Sequence, residues 1–448
     1  MLDFLGAESM NAYVYAPKSD PKHRDRWRDA YDDGERRHFA DVVVRSRAAG
    51  VRFGFALSPG VDVDYASATD RAAVLAKLVP MLDLGVDWIV LALDDIETRP
   101  GLAGEQAALT GWLLGELRDR NATLRLSLVP TEYVGRVASP YLRELGAGVP
   151  VDVDLMWTGP TVCSPVIRAA DARAWGEAVG RPPIVWDNFP VNDGTMARSL
   201  HLGPYIGREP ALTDAVEGVL CNPMLQPRLS KVGLACAAAY LRDPSGFDPH
   251  GAWEHGVAVA GGEHAALLKE VASACANSPI LPPSFTKARR WAAALADGAD
   301  AGPDSPVEPL RAHLRGVRDA TRVFGEATDD PLHEELGPWL EPARAEAEAG
   351  LAAVRLIEHV RAEATPESAM QLAFGTLFAW DYARQHPDRV VFGPRFAAYP
   401  AVVQLDDGAP ALDVDLALVE GENAIDELCH IALDRYRDWV RGRVEASG

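Results

Sequence analysis

The first half of the chain alternates short apolar runs with stretches of helical period, and that alternation restricts the fold more than any other feature. The runs lie at residues 12–16 (AYVYA), 51–57 (VRFGFAL), 88–93 (WIVLAL), 124–129 (LRLSLV), 151–157 (VDVDLMW), 183–186 (PIVW) and 218–220 (GVL). Helix-like segments stand between them, at 34–49, 70–84, 105–118 and 169–179 among others. Strands separated by helical patterns indicate βαβ units and a parallel sheet. Parallel strands are covered on both faces, so they read as nearly continuous apolar runs, as these mostly do. A closed (β/α)8 barrel needs one strand more than the seven read here. Residues 1–8 resemble the tail of a helix directly before the first run. The expectation is therefore an α/β fold, a (β/α)8 TIM-type barrel whose first strand is missing from this chain. A doubly wound open sheet needs no eighth strand and is the alternative. Polar clusters after nearly every strand end favour the barrel, whose sites form on that face.

Near residues 242–253 the sequence becomes RDPSGFDPHGAW, a boundary rich in Pro, Gly and Asp. It divides an expected catalytic barrel domain, residues 1–242, from an expected helical C-terminal domain, residues 243–448. Helical periods follow at 262–276, 284–295, 309–324, 342–364, 366–385 and 423–444, with a strand-like stretch at 389–405.

Charge limits the partners. Asp and Glu total 65 against 44 Lys and Arg, a net charge of −21 over 448 residues. An acidic surface of that kind repels nucleic-acid phosphates and anionic lipid, so neither nucleic acid nor membrane is an expected partner. No apolar run reaches the roughly 18 residues that span a bilayer. The five cysteines are scattered, without CxxC or Cys/His metal spacing. They read as reduced thiols, which points to a cytoplasmic protein. His250 and His255, five apart in HGAWEH, miss the i, i+4 spacing of a helical ligand pair and read as structural. No metal is expected. A homo-oligomer is left open.

The sharpest chemical feature is WIVLALDDIE, where Asp94 and Asp95 end the most apolar strand. Two adjacent carboxylates cannot both ionise cheaply, so one pKa should rise and the pair should titrate as a coupled unit. Such a pair supplies an acid and a base together near neutral pH. The same two residues could also ligate Mg²⁺ or cap the following helix. Other strand ends carry Lys18 (APKSD), Glu132 and Tyr133 (PTEY), Trp186, Asn188 and Asp193 (WDNFPVND) and Asn222 (CNPM). Singly, each reads as a loop or cap residue. Together they form a rim of aromatics, amides and carboxylates suited to a neutral sugar, with aromatics to stack on the ring and Asp or Asn to bind hydroxyls.

The segments YVYAPKSDPKHRDRW, FALSPGVD, LALDDIE, PTEYVG, LMWTGPTVCS, IVWDNFPVND, LGPYIGR and GVLCNPM follow one another from about Asn11 to Leu241. They resemble glycoside hydrolase family 84, the family of the O-GlcNAcases and bacterial β-N-acetylglucosaminidases. The resemblance implies a (β/α)8 catalytic domain followed by a helical domain, no metal and no organic cofactor. It implies a retaining, substrate-assisted reaction through an oxazoline, one of the exceptions to the usual two-carboxylate scheme. On this resemblance Asp94 orients the substrate's acetamido N–H, and Asp95 protonates the leaving oxygen and then deprotonates water. Lys18, Tyr133, Trp186, Asn188, Asp193 and Asn222 match sugar-binding positions. Asp193 is implied to hold the 4- and 6-hydroxyls and Asn222 the 3-hydroxyl side, with Tyr133 and Trp186 walling the acetamido pocket. The implied partner is a GlcNAc-containing glycoside or glycoprotein.

Three departures stand out. The family commonly opens with a strand carrying a G-F-Y-G-type motif, and this chain starts after it. An incomplete barrel exposes two strand edges, so a longer natural chain, or a gap filled by another segment or chain, is expected. Ser19 stands where Asp commonly follows APK, and Gly194 where an aromatic commonly follows Asp193. Two alternatives remain beside the glycosidase: a GlcNAc-binding protein impaired in turnover, and a hexosaminidase acting on chitin or peptidoglycan fragments.

Overall fold

The computed structural model describes residues 1–276, 280, 287–298, 305–362, 365–386, 388–393, 396–404, 410–418 and 423–446. Contacts divide the chain into two compact units. The first comprises Met1–Asn188, Arg208–Asn222 and Leu241–Gly246; the second comprises Phe189–Gly207, Pro223–Tyr240 and Phe247–Gly448.

The first unit is built on one parallel sheet of seven strands, in the order β1-β2-β3-β4-β5-β6-β7. The strands are β1 (Ala12–Tyr15), β2 (Arg52–Leu57), β3 (Trp88–Ala92), β4 (Arg125–Val129), β5 (Asp154–Trp157), β6 (Ile184–Asp187) and β7 (Gly218–Cys221). The helices between them are α2 (Asp33–Ala48), α3 (Ala68–Asp83), α4 (Leu102–Arg118), α5 (Pro140–Gly148) and α6 (Ala169–Val179), after a short α1 (Leu2–Ala7). Every strand pairs in parallel with its neighbour in sequence. This is the curled, incomplete barrel expected from the sequence, and the doubly wound alternative fails because its strand order would reverse.

The continuous apolar runs are explained by two cores. Along β3, Ile89 and Leu91, then Leu93, enter the core shared with the helices. The alternate residues Trp88, Val90 and Ala92 enter a smaller cluster with Ala56, Val129, Met156 and Ile184. A strand side chain points to one face or the other in turn, so a strand with two cores has no polar position to show.

Side-chain caps end several loops and so fix where they lie. Asp32 forms a capping box with Glu35 ahead of α2. Ser67 accepts from Asp70 N ahead of α3, and Ser139 from Leu142 N ahead of α5. Each such cap contributes about 1 kcal/mol. Helix α5 was not evident in the sequence, because its glycines break the apolar period. Gly146 is nevertheless required: a Cβ there would meet the Val179 backbone at 2.7 Å.

The second unit holds α7 (Ser230–Arg242) through Tyr240, then α8 (Pro249–Gly261), α9 (Ala265–Ala274), α10 (Lys287–Ala296), α11 (Val307–Glu326), α12 (Pro331–Arg361), α13 (Pro366–Arg384) and α14 (Ala424–Ala446). Strands β8 (Phe396–Gln404) and β9 (Pro410–Leu418) pair antiparallel. Helix α8 begins inside the stretch that reads as a boundary, since Pro249 suits the first helical turn and Asp248 accepts from His250 N. Helix α12 starts well before residue 342, with Asp330 as its cap and Pro338 and Pro342 inside it. The strand-like stretch at 389–405 contains β8, while residues 394, 395 and 405 of it lie outside the described residues, as do 284–286 of the helical period at 284–295. Among the described residues no helix is long and apolar enough to cross a membrane.

Candidate active site

The C-terminal end of β3 carries the acidic pair. Leu93 extends the ladder, its N–H donating to Val129 O at 2.9 Å. Its carbonyl accepts from Thr131 Oγ1 at 2.8 Å. The chain then turns: Asp95 has φ +56°, in the left-handed region that Asp tolerates better than most side chains. A residue held there at the end of a barrel strand marks a place where conformation serves something other than stability.

Two cations from the loop after β1 meet the pair. Lys18 Nζ lies 2.5 Å from Asp95 Oδ2 and 3.6 Å from Asp94 Oδ2. Arg24 Nη1 lies 3.7 Å from each of the same two oxygens. Tyr133 Oη donates to Asp95 Oδ1 at 3.0 Å. Burial pushes the Asp94 pKa up and the charge on Asp95 adds to it, against Lys18 and Arg24. Burial also acts to raise Asp95, but the hydrogen bonds and charges of Lys18 and Tyr133, with Arg24, outweigh it and hold its pKa below the usual value. Lys18 is moved upward, because its bond to Asp95 and the two negative charges overcome the cost of its burial. Tyr133 is raised by burial and by Asp95. The split of the pair is thus the reverse of what an acid role for Asp95 requires at rest: burial lifts Asp94, while Lys18, Tyr133 and Arg24 hold Asp95 down.

Helix α4 is preceded by Gly101 in a left-handed conformation, with no side-chain cap, so neither aspartate caps it. Among the described residues no group of three or more His, Cys, Asp or Glu side chains is placed to hold a metal ion.

A second group forms where β6 and β7 end. Trp186 Nε1 donates to Asn188 Oδ1 at 3.2 Å, and Asn222 Nδ2 donates to the same oxygen at 2.9 Å. Asn188 Nδ2 donates to Val162 O at 2.7 Å, in the loop after β5. Beneath them Asp187 and Arg208 form a bidentate pair, with Nε to Oδ2 at 2.8 Å and Nη2 to Oδ1 at 2.5 Å. Each of those two side chains is 1% exposed.

The structure therefore joins Lys18, Asp94, Asp95 and Tyr133 in one group, and Trp186, Asn188 and Asn222 in another. Asp193 belongs to the second unit, is exposed, and precedes the short 3-10 turn Gly194–Arg198. Sequence reasoning missed Arg24, whose only signal was its place six residues after Lys18 in a loop already singled out. It also missed Arg208, which lies in LGPYIGR with nothing local to announce a partner 21 positions away.

A parallel barrel sheet that ends in adjacent carboxylates has the build of a glycoside hydrolase, and comparison with known proteins agrees. The chain belongs to the β-N-acetylglucosaminidase family, whose model matches residues 1–273. It is 30% identical over 248 residues to the protein O-GlcNAcases of Rattus norvegicus and Mus musculus. That match takes in 52% of this chain and 27% of each relative, so the chain spans about a quarter of their length. Its fold is similar to that of a mutant O-GlcNAc hydrolase of Thermobaculum terrenum, at 26% identity and a TM-score of 0.77, covering 100% of this chain and 92% of that one. The structure of CpGH84B, at 23% identity, shares the fold alone, with a TM-score of 0.77 over 87% of this chain and 71% of that one.

Proposed function

We propose that this chain is a retaining exo-β-N-acetylglucosaminidase that removes terminal GlcNAc from glycosides, O-GlcNAc-modified proteins included. The observation that carries the reading is the adjacent Asp94 and Asp95 at the end of β3, under a lysine, an arginine and a tyrosine hydroxyl. In the first step the substrate's acetamido oxygen attacks the anomeric carbon. The bond to the leaving oxygen breaks, and Asp95 delivers its proton to that oxygen. Asp94 accepts a hydrogen bond from the acetamido N–H, whose positive charge grows as the oxazoline forms. In the second step Asp95, now a carboxylate, takes a proton from water as the water attacks the same carbon. The acetamide is restored, and two inversions leave the configuration retained. A proton donor positioned in this way contributes about 10²–10⁴ in rate. Lys18, Asn188 and Asn222 are assigned to sugar binding, and Tyr133 with Trp186 to the walls of the acetamido pocket.

Hydrolysis of an aryl β-GlcNAc glycoside tests the reading, with the anomer of the first-formed sugar read by NMR. The expected result is release of β-GlcNAc by the parent chain and a large loss in Asp94→Asn. A folded parent that releases no GlcNAc, or that first releases the α-anomer, overturns it.

A further inference from the structure

The two cations at the acidic pair are held in different ways. Lys18 is solvent-facing, its side chain 59% exposed, and an ammonium on a flexible stem is readily re-aimed. Arg24 is 14% exposed, and its Nη1 also donates to Ser58 Oγ at 3.4 Å, just past the end of β2. The loop that carries Arg24 is pinned from several sides. His23 O accepts from Ser58 N at 3.0 Å. Trp27, fully buried, donates from Nε1 to Asp62 Oδ1 at 2.7 Å. Arg28 reaches both Asp62 and Asp70. Asp20 accepts from the hydroxyls of Tyr15 and Tyr31. One cation is thus free to leave and the other is built in.

We propose that Arg24 is the permanent countercharge of the Asp94–Asp95 pair and that Lys18 is the exchangeable one, surrendered to a sugar hydroxyl when substrate binds. The inference rests on the reading of these aspartates as the reacting carboxylates. The charged and titratable groups facing the pair are Lys18 and Arg24, with Tyr133 neutral. At rest, two positive charges oppose two negative ones, and both carboxylates can be ionised. That is the wrong state for an enzyme that must begin with a protonated acid. When Lys18 turns to the sugar and water is excluded, one cation is left against two carboxylates. The pair then takes up one proton from solvent. The roles given to the two carboxylates place it on Asp95, whose 2.5 Å contact with Lys18 is gone, while Arg24, 3.7 Å from each carboxylate, offsets the single negative charge that remains. Arginine suits the permanent post because it never gives up its proton. The acid is therefore charged with its proton by the act of binding.

Calorimetry tests this without turnover, with free GlcNAc as the probe and buffers of different ionisation enthalpy at pH 7. The parent is expected to take up close to one proton per GlcNAc bound. Lys18→Met, whose pair already lacks the exchangeable charge, is expected to take up close to none. Binding with no proton uptake in the parent overturns the inference and leaves the glycosidase reading standing; no binding at all overturns both. The pH dependence of kcat supplies a second test, since it reports the substrate complex. In Arg24→Met both limbs should move up by about one pH unit, the scale of removing a charge this close, and Arg24→Lys should restore them. A kcat that falls evenly at every pH, with both limbs in place, would make Arg24 a purely structural residue and overturn its assignment. If Arg24→Met does not fold, ¹³C titration of the aspartate carboxyls in Ser58→Ala, which loosens the guanidinium, should show the same upward direction to a lesser degree; unchanged titrations there overturn it equally.

Discussion

Strands β3 and β6 both run out into aspartate, as DD just past one and as DN at the end of the other, yet the structure treats these aspartates in opposite ways. Asp187 accepts a bidentate pair of hydrogen bonds from Arg208, and both side chains are 1% exposed. Its only freedom is to be where it is, under Trp186 and Asn188. Asp94 and Asp95 are like charges side by side, shared by two cations, with Asp95 at a positive φ and its side chain 36% exposed. A buried ion pair is a fixed object, because moving either partner strands the other's charge. An unsaturated pair at a strand end is a poised one, because moving a single exposed ammonium changes its proton count. The lesson is that the number and mobility of the partners, more than the acidic residues themselves, separate a structural carboxylate from a reactive one.

The largest effect that can break this comparison lies at β3. Asp95→Asn should reduce hydrolysis of GlcNAc glycosides with poor leaving groups by about 10²–10⁴-fold, the worth of a positioned proton donor. Activated aryl glycosides, which leave without protonation, should be spared in part. Steady-state rates on the two substrate types check it, and equal losses on both would remove Asp95 from the acid role. Folded stability should barely change, since the residue is half-exposed and its loss leaves no buried charge behind.

At β6 the same kind of change should act on stability instead. Arg208→Met removes the guanidinium that pairs with the buried Asp187 carboxylate, which costs about 3–5 kcal/mol. Thermal unfolding should record a clear drop in Tm. The kcat of whatever fraction stays folded should fall less than tenfold, because neither residue touches the reacting atoms. A stable variant with an abolished kcat would reverse the roles given to the two strand ends.

The sequence carried most of this fold, for an evident physical reason. Strands with a core on each face read as apolar runs, and the bounds of β2, β3, β4 and β7 fall within one residue of those read from pattern alone. Asp94 and Asp95 were equally plain, because a strand must stop somewhere and charges at its end cannot hide. What the sequence did not carry is pairing. Nothing near Arg24 or Arg208 says which carboxylate it meets, since those contacts are made by loops that the barrel brings together from elsewhere in the chain. Helices α5 and α12 failed for the opposite reason: glycines and prolines inside them weaken the local signal, and tertiary packing overrides it. The direction of the pKa split in the acidic pair was likewise invisible, because it depends on how deeply Asp94 is buried and on where the side chains of Lys18, Tyr133 and Arg24 rest.

The smallest effect is the one that separates the two strand ends most sharply. Replacing both partners of the buried pair together, Asp187→Leu with Arg208→Met, removes two charges at once and leaves neither stranded. Exchange of a buried pair for apolar groups of like volume is often neutral or mildly stabilising. The double variant should therefore recover nearly all of the stability lost in Arg208→Met, to within about 1 kcal/mol of the parent. Asn222 N donates to the Asp187 backbone carbonyl at 2.8 Å, a bond that the substitution leaves intact, so the placing of Asn188 and Asn222 should survive and activity with it. Denaturant unfolding and hydrolysis of the aryl substrate read the two quantities side by side. At β3 no such rescue is expected: Asp94→Asn with Asp95→Asn, which keeps side chains that tolerate the left-handed backbone at residue 95, should fold and yet be inactive, because on the proposed reading the charges there are the function. Recovery of stability at β6 without recovery of activity would mean that the Asp187–Arg208 pair does more than hold its strand end in place.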